Sequence, residues 1–216
     1  MSPNLKRLLA LAGMAAPIVL TFGWIIAGLI QGDAYSVSSQ EISDLGALTA
    51  DHAWFWNAAT CISGALVVAF AFGLEAELGK LRSGLFGAVL IGVVGAGSFL
   101  DGLVREDCPL STSDSCQALR DGPGLSWHHQ AHDIESLIVG LASLLAPFVL
   151  ARAFARLPAW SDLRAVSLIV GGTMVAVLLA YIALYGESGG GVMQRLLLSV
   201  FLLWMFVIAL RLHRNA

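Results

Sequence analysis

Long apolar runs separated by short polar segments make up most of the chain. Four runs contain no Asp, Glu, Lys or Arg, and each is long enough for a helix that crosses a bilayer, which needs roughly 17–25 residues. Two further runs are interrupted by polar residues near their starts. We therefore predict six transmembrane helices, at about residues 8–30, 53–74, 83–101, 129–151, 165–186 and 191–210.

The predicted fold is all-α: residues 1–216 form one integral membrane domain, a six-helix bundle with two longer extracytoplasmic loops. The apolar runs are too long for the strands of a membrane barrel. Composition supports this prediction, because 57% of the residues are hydrophobic and only 12% are charged, against about 25% charged residues in a soluble domain. The expected partner is the lipid bilayer. No basic patch or phosphate loop points to nucleic acid or nucleotide.

Charge distribution predicts the orientation in the membrane. With the N-terminus in the cytoplasm, nine of the twelve Lys and Arg residues lie on the cytoplasmic side, as the positive-inside rule requires. Both termini are then cytoplasmic, and the longer loops, 31–52 and 101–126, lie outside. Twelve of the fifteen acidic residues fall on that outer side. Acidic residues do not set topology, so we interpret their excess as function or solvation.

Two sequence features resemble a known family. The first loop contains Ile-Ser-Asp-Leu-Gly-Ala at 42–47, after the first predicted helix. The second loop contains Arg-Glu-Asp-Cys-Pro at 105–109, and histidines follow before the fourth helix. Both features are similar to those of the "domain of unknown function 998" family of bacterial membrane proteins. The resemblance implies a six-helix fold in the bacterial cytoplasmic membrane and carries no assigned activity.

The first loop also contains a helix signal. Ser38 and Glu41 have the spacing of a capping box, and Gly46 is a suitable stop, which predicts a short helix from about Ser39 to Leu45. Capping explains Ser38 and Glu41. It does not explain Asp44, which is therefore a candidate functional residue.

Cys108 and Cys116 lie within the second predicted outer loop. Because the extracytoplasmic side is oxidising, a structural disulfide is the favoured interpretation. Free thiols and metal or redox ligands are the alternatives, although no Cys-x-x-Cys spacing is present. Cys61, in the second span, is a small packing residue by this reasoning.

Three of the five histidines lie at 128, 129 and 132, at the mouth of the fourth span. Ser126 is a good N-cap, and a helix from Trp127 would place His128, His132 and Glu135 on one face. Two histidines one turn apart beside a carboxylate can hold a metal such as Zn²⁺, and Asp101 at the end of the third span is a further ligand. Asp44 or His129 would then transfer protons.

Other polar residues could line a vestibule around this cluster: Glu41, Ser43, His52, Asn57, Arg105, Asp133 and Arg195. Arg195 is also explained by snorkelling to the membrane interface, the interpretation that we favour for it. The leading functional hypothesis is a metal-dependent hydrolase of lipid or lipid-linked substrates. The alternatives are a hydrogen-bonded polar cap, and a protein that binds or transports a small molecule or lipid, or scaffolds a partner, without chemistry.

Overall fold

The computed structural model describes residues 1–216 and contains helices and no strands. The α-helices are α1 (Pro3–Gln31), α2 (Ala53–Leu78), α3 (Arg82–Asp101), α4 (Asp114–Asp121), α5 (Trp127–Phe154), α6 (Leu163–Ala183) and α7 (Gly190–Arg214). All except α4 are long and apolar enough to cross a membrane. The predictions of an all-α fold and six spans are confirmed, and the chain is a multi-pass membrane protein.

The six long helices form a ring in chain order. Each packs on the next, α3 packs directly on α5, and α7 returns to α1. Because the number of crossings is even, both termini lie at one end of the ring, which we call the terminal end. The segments 32–52, 102–126 and 184–189 lie at the opposite end, which we call the loop end.

Large apolar side chains fill the terminal half of the ring. Phe70 of α2 is fully buried and lies against Gly13 of α1, where a Cβ atom would stand 2.5 Å from its ring. Trp160, in the α5–α6 connection, stacks on Phe154 with ring centroids 5.2 Å apart. Since lipid tails are as apolar as the core, such close packing is what holds membrane helices together.

Small residues bring α2 and α3 close together. A Cβ atom on Gly95 would lie 2.7 Å from the backbone nitrogen of Val68 and 2.9 Å from the carbonyl oxygen of Gly64, so only glycine permits this approach. The close pairing continues to Gly102, where a Cβ atom would lie 2.5 Å from Sγ of Cys61. It fixes the position of Asp101, the last residue of α3.

The prediction of a helix from Ser39 to Leu45 is wrong. The structure has a 3₁₀ turn at Ser43–Gly46 instead. The side chains of the expected capping box are used elsewhere: the hydroxyl of Ser38 pairs with that of Ser36 at 3.0 Å, and the carboxylate of Glu41 accepts a hydrogen bond from Tyr181. Glu41 is therefore held by a contact with α6 and Ser38 by the neighbouring Ser36, so no capping box forms.

Snorkelling, the favoured interpretation of Arg195, is also wrong. Its side chain is buried, and Nη1 donates to the carbonyl oxygens of Val37, Gln40 and Gly191 at 2.8–3.0 Å. Nη2 donates to the hydroxyl of Tyr35. Carbonyl groups of the first loop take the place of water, so Arg195 holds that loop over α7.

Candidate metal centre at the loop end

Asp101, His132 and Glu135 meet where α3 packs on α5. One ligand atom from each lies within 4.8 Å of the other two. Nδ1 of His132 is 3.2 Å from Oδ1 of Asp101. Gly97 makes room for this group, because a Cβ atom there would lie 2.6 Å from Oε1 of Glu135. Three of the four residues predicted from the sequence as metal ligands are thus brought together.

A second group of acids, Glu41, Asp44 and Glu106, lies beside the first. Their carboxylate oxygens are also within 4.8 Å of one another, and Asp44 is 3% exposed. Oδ2 of Asp44 accepts a hydrogen bond from the backbone N–H of Glu41 at 2.9 Å. Glu41 and Asp44 come from the first loop and Glu106 from the second, so only the folded chain assembles this group.

Glu106 joins the two groups. Its Oε1 lies 2.7 Å from Nε2 of His132, so carboxylates flank both ring nitrogens of this histidine. Sequence reasoning did not select Glu106 as a site residue. The available signal was its place in the Arg-Glu-Asp-Cys-Pro string that carries the family resemblance.

Two buried carboxylate oxygens have no hydrogen-bond partner. They are Oε2 of Glu135, in the first group, and Oδ1 of Asp44, in the second. A buried polar atom without a partner is costly. Oε2 of Glu135 is therefore available to bind a cation.

The loop acids have shifted pKa values. Burial, followed by the charges of Glu106 and Glu41, raises the pKa of Asp44 to about 8. Burial, followed by the charge of Glu106, raises the pKa of Glu41 to about 7. Burial by itself would also raise the pKa of Glu106. The hydrogen bond and charge of His132 outweigh that effect and hold the pKa of Glu106 below its ordinary value. Negative charge at the site is thus concentrated on Glu106, beside His132.

His128 and His129 have other partners. Helix α5, which carries both histidines, begins at Trp127 with Ser126 as its N-cap, as predicted. Nδ1 of His128 lies 2.6 Å from the carbonyl oxygen of Arg105, outside both groups. Nδ1 of His129 accepts a hydrogen bond from the backbone N–H of Asp107 at 2.9 Å, and Nε2 is 3.8 Å from Oδ1 of Asp133. Both rings thus hold the second loop on α5.

The two long loops are joined directly above the site. Arg105 donates from Nε to the carbonyl oxygen of Gly46 at 2.9 Å and from Nη2 to that of Ala47 at 3.0 Å. The N–H of Leu48 donates to the carbonyl oxygen of Glu106 at 2.8 Å. Further along the second loop, Cys108 and Cys116 form a disulfide, the arrangement favoured from the sequence.

Several predicted vestibule residues pack around Asp101, Glu106 and His132. They are Ser43, Asn57 and Arg105. Gly46 and Trp56, which were not predicted, lie among them. The other four predicted residues lie elsewhere. Glu41 belongs to the second acidic group, and Arg195 holds the first loop over α7. His52 is exposed at the start of α2 with a left-handed φ of 51°, and the side chain of Asp133 is 56% exposed.

A family model described as "Protein of unknown function (DUF998)" matches residues 14–211, which is most of the chain. The chain belongs to the DUF998 family. No curated protein and no solved structure matches it significantly. The DUF998 assignment confirms the resemblance found in the sequence.

In this DUF998 protein the two stretches that carried the resemblance lie against each other. The turn at Ser43–Gly46 supplies Asp44, the second loop supplies Glu106, and Arg105 ties the two segments together. The DUF998 features thus converge on the acidic group next to His132, which singles out this end of the bundle as the candidate functional site.

Proposed function

We propose that this protein is a metal-dependent hydrolase whose metal is held by Asp101, His132 and Glu135. The observation that carries the proposal is the donor set: one imidazole and two carboxylates within 4.8 Å, with Oε2 of Glu135 unpartnered. Three protein ligands and an open position are the pattern of catalytic zinc sites. A metal held there would supply a bound water with a pKa lowered to about 7.

Glu106 suits the role of an orienting partner for His132. Histidines that bind metal through one ring nitrogen commonly donate the other N–H to a carboxylate, which fixes the ring. Nδ1 of His132 faces Asp101 and Nε2 faces Glu106, so one nitrogen is directed toward the ligand group and the other toward the orienting acid.

Asp44 is the residue that we propose for proton transfer. It is buried within 4.8 Å of Glu106, and its pKa, raised to about 8 by burial and then by the charges of Glu106 and Glu41, lets it hold a proton near neutral pH. His129, the other candidate from the sequence, has both nitrogens beside groups of its own helix and the second loop. The geometry therefore favours Asp44 over His129.

The proposed substrate is a lipid or a lipid-linked molecule. Below the site, α5 carries exposed apolar side chains at Ile134, Leu137, Ile138 and Leu141, which face the bilayer. Glu135 lies on the same helix among these positions, so the site is next to lipid. We also propose that the loop end faces out of the cytoplasm, since nine of the twelve cationic residues lie at the terminal end.

Metal content is the first test. Protein purified in detergent without chelators is expected to contain about one metal ion per chain by elemental analysis. His132→Ala and Glu135→Gln should lose it. His128→Ala is the matched control, because it removes an imidazole one turn away that lies outside the donor set.

A wild-type protein without metal would refute the metal site. Metal that binds without turnover of any member of a lipid and lipid-linked substrate panel would leave a structural ion and refute the hydrolase. Loss of metal in His128→Ala, with retention in Glu135→Gln, would refute Asp101, His132 and Glu135 as the ligand set.

A second candidate function is ligand binding without chemistry. Its specific support is that His132 already lies between two carboxylates, so a protonated imidazole would satisfy both without any metal. This function predicts that binding of a lipid or small molecule survives complete removal of metal by a chelator, whereas hydrolysis would stop.

Membrane orientation needs a separate measurement. In a Cys61→Ser background, Ser188→Cys at the loop end and Ser161→Cys at the terminal end should differ in labelling by a maleimide that cannot cross the membrane. Intact cells should label Ser188→Cys only. Labelling of Ser161→Cys alone would reverse the proposed orientation.

A further inference from the structure

A cavity of about 420 Å³ opens between α5 and α6 at the terminal end, far from the acidic site. Arg152, Arg156 and Arg164 line it, together with the apolar side chains of Phe148 and Leu168. No acidic residue borders the cavity. It therefore combines positive charge with an apolar wall.

The three arginines have no partner within the protein. None of them forms an ion pair or a side-chain hydrogen bond. The neighbouring acid Asp162 is bound to Arg211, with Nη1 to Oδ1 at 2.9 Å, and Glu77 is bound to Lys6. Asp162 and Glu77 are therefore paired with cations other than the three arginines of the cavity.

The residues that line the cavity change from apolar to charged along α5 and α6 toward the terminal end. Phe148 packs on Gly171, where a Cβ atom would lie 2.6 Å from its ring, and it lies further along α5 from the terminal end than the arginines. Arg152 lies in the last turn of α5, Arg156 just beyond it, and Arg164 in the first turn of α6. The charges therefore lie at the helix ends, where lipid headgroups are found, and the apolar wall lies deeper.

We propose that this cavity binds the phosphate headgroup of an anionic phospholipid from the leaflet at the terminal end. Guanidinium groups are well suited to phosphate oxygens, which they bind in a bidentate manner. Basic pockets between transmembrane helices are a known form of anionic lipid site. Phe148 and Leu168 would contact the glycerol and upper acyl region, which a free phosphate ion cannot use.

Native mass spectrometry of the full chain in detergent tests this site. Wild-type protein titrated with phosphatidylglycerol is expected to bind one molecule in preference to phosphatidylcholine. The triple variant Arg152→Gln/Arg156→Gln/Arg164→Gln should bind it about 100-fold more weakly, since each arginine near a membrane surface contributes about fivefold.

The control variant removes the same charge from the same end outside the cavity. Arg7, Arg82 and Arg214 are exposed and form no ion pair, so Arg7→Gln/Arg82→Gln/Arg214→Gln should keep the affinity. Ala155→Trp keeps all three arginines but fills a position on the cavity wall, and it should weaken binding as well.

Three results would overturn the proposal. Equal weakening by both triple variants would mean that the lipid responds only to the net charge of this end. Displacement of phosphatidylglycerol by millimolar inorganic phosphate would mean that the arginines bind a soluble anion and not a lipid. Unchanged lipid binding in Ala155→Trp would place the lipid outside the cavity.

Discussion

The two ends of the bundle are built by different physical means. At the terminal end, large side chains such as Phe70, Phe154 and Trp160 are almost fully buried, and the charged residues lie mostly at the surface. At the loop end the buried residues include Asp44, Glu106 and His132, and hydrogen bonds between loops and side chains hold the structure together. One end is a packed apolar core and the other is a buried polar network.

The difference supports the loop end as the candidate functional site. Apolar packing stabilises without needing specific partners, whereas buried carboxylates destabilise unless they are paired or bind a cation. At the loop end, several acids lie in two adjacent groups, and two of their buried carboxylate oxygens have no hydrogen-bond partner. The cation that we propose to bind there would offset part of this cost.

The largest expected effect concerns the terminal end. Phe70→Ala should lower the free energy of unfolding by about 3–5 kcal/mol, because it opens a cavity where α1, α2 and α7 meet. Phe72→Ala is the control on the same helix: its side chain is 63% exposed, and we expect little change. Thermal unfolding in detergent measures both. Equal effects of the two would contradict a packed core at this end.

A smaller effect is expected at the loop end from Arg195→Ala. Removing the guanidinium leaves the carbonyl oxygens of Val37 and Gln40 without donors and should cost about 2 kcal/mol. The first loop should also become more accessible to protease. Arg120→Ala removes only an exposed ion pair with Asp121, for which we expect well under 1 kcal/mol. If the first loop stayed protected in Arg195→Ala, this arginine would not be what holds it.

A pH dependence of stability is also expected, and only the loop end should show it. The pKa of Asp44 is raised to about 8 in the folded protein, mainly by burial and then by Glu106 and Glu41. Between the unfolded value of about 4 and that folded value, the folded state binds more protons than the unfolded state. Stability should therefore fall as pH rises through this window.

Asp44→Asn should reduce that decline in metal-free protein, because the amide cannot ionise. Asp33→Asn, at an exposed position on the same loop segment, should keep the wild-type dependence. Unfolding temperatures at pH 5 and pH 9 distinguish the two variants. An identical decline in wild type and Asp44→Asn would show that the buried acid does not control stability in this range.

Part of the candidate site could be predicted from the chain alone. Asp101, His132 and Glu135 were found because helix periodicity places residues 132 and 135 on one face, and a helix end fixes Asp101. His128 was included by the same periodicity, but its ring is directed to the carbonyl oxygen of Arg105. Glu106 was missed because nothing local distinguishes it from Asp107, the next acid in the loop.

Local stretches of the chain were enough to predict the six spans and the start of α5 at Trp127, because bilayer thickness and helix capping act on short segments. Two short motifs were enough to indicate the family. The course of the first loop, the burial of Arg195 and the contact of Glu106 with His132 became known only from the folded chain. Those features depend on partners far apart in the chain, and the energies of such long-range polar contacts outweigh local propensity without leaving a periodic signal.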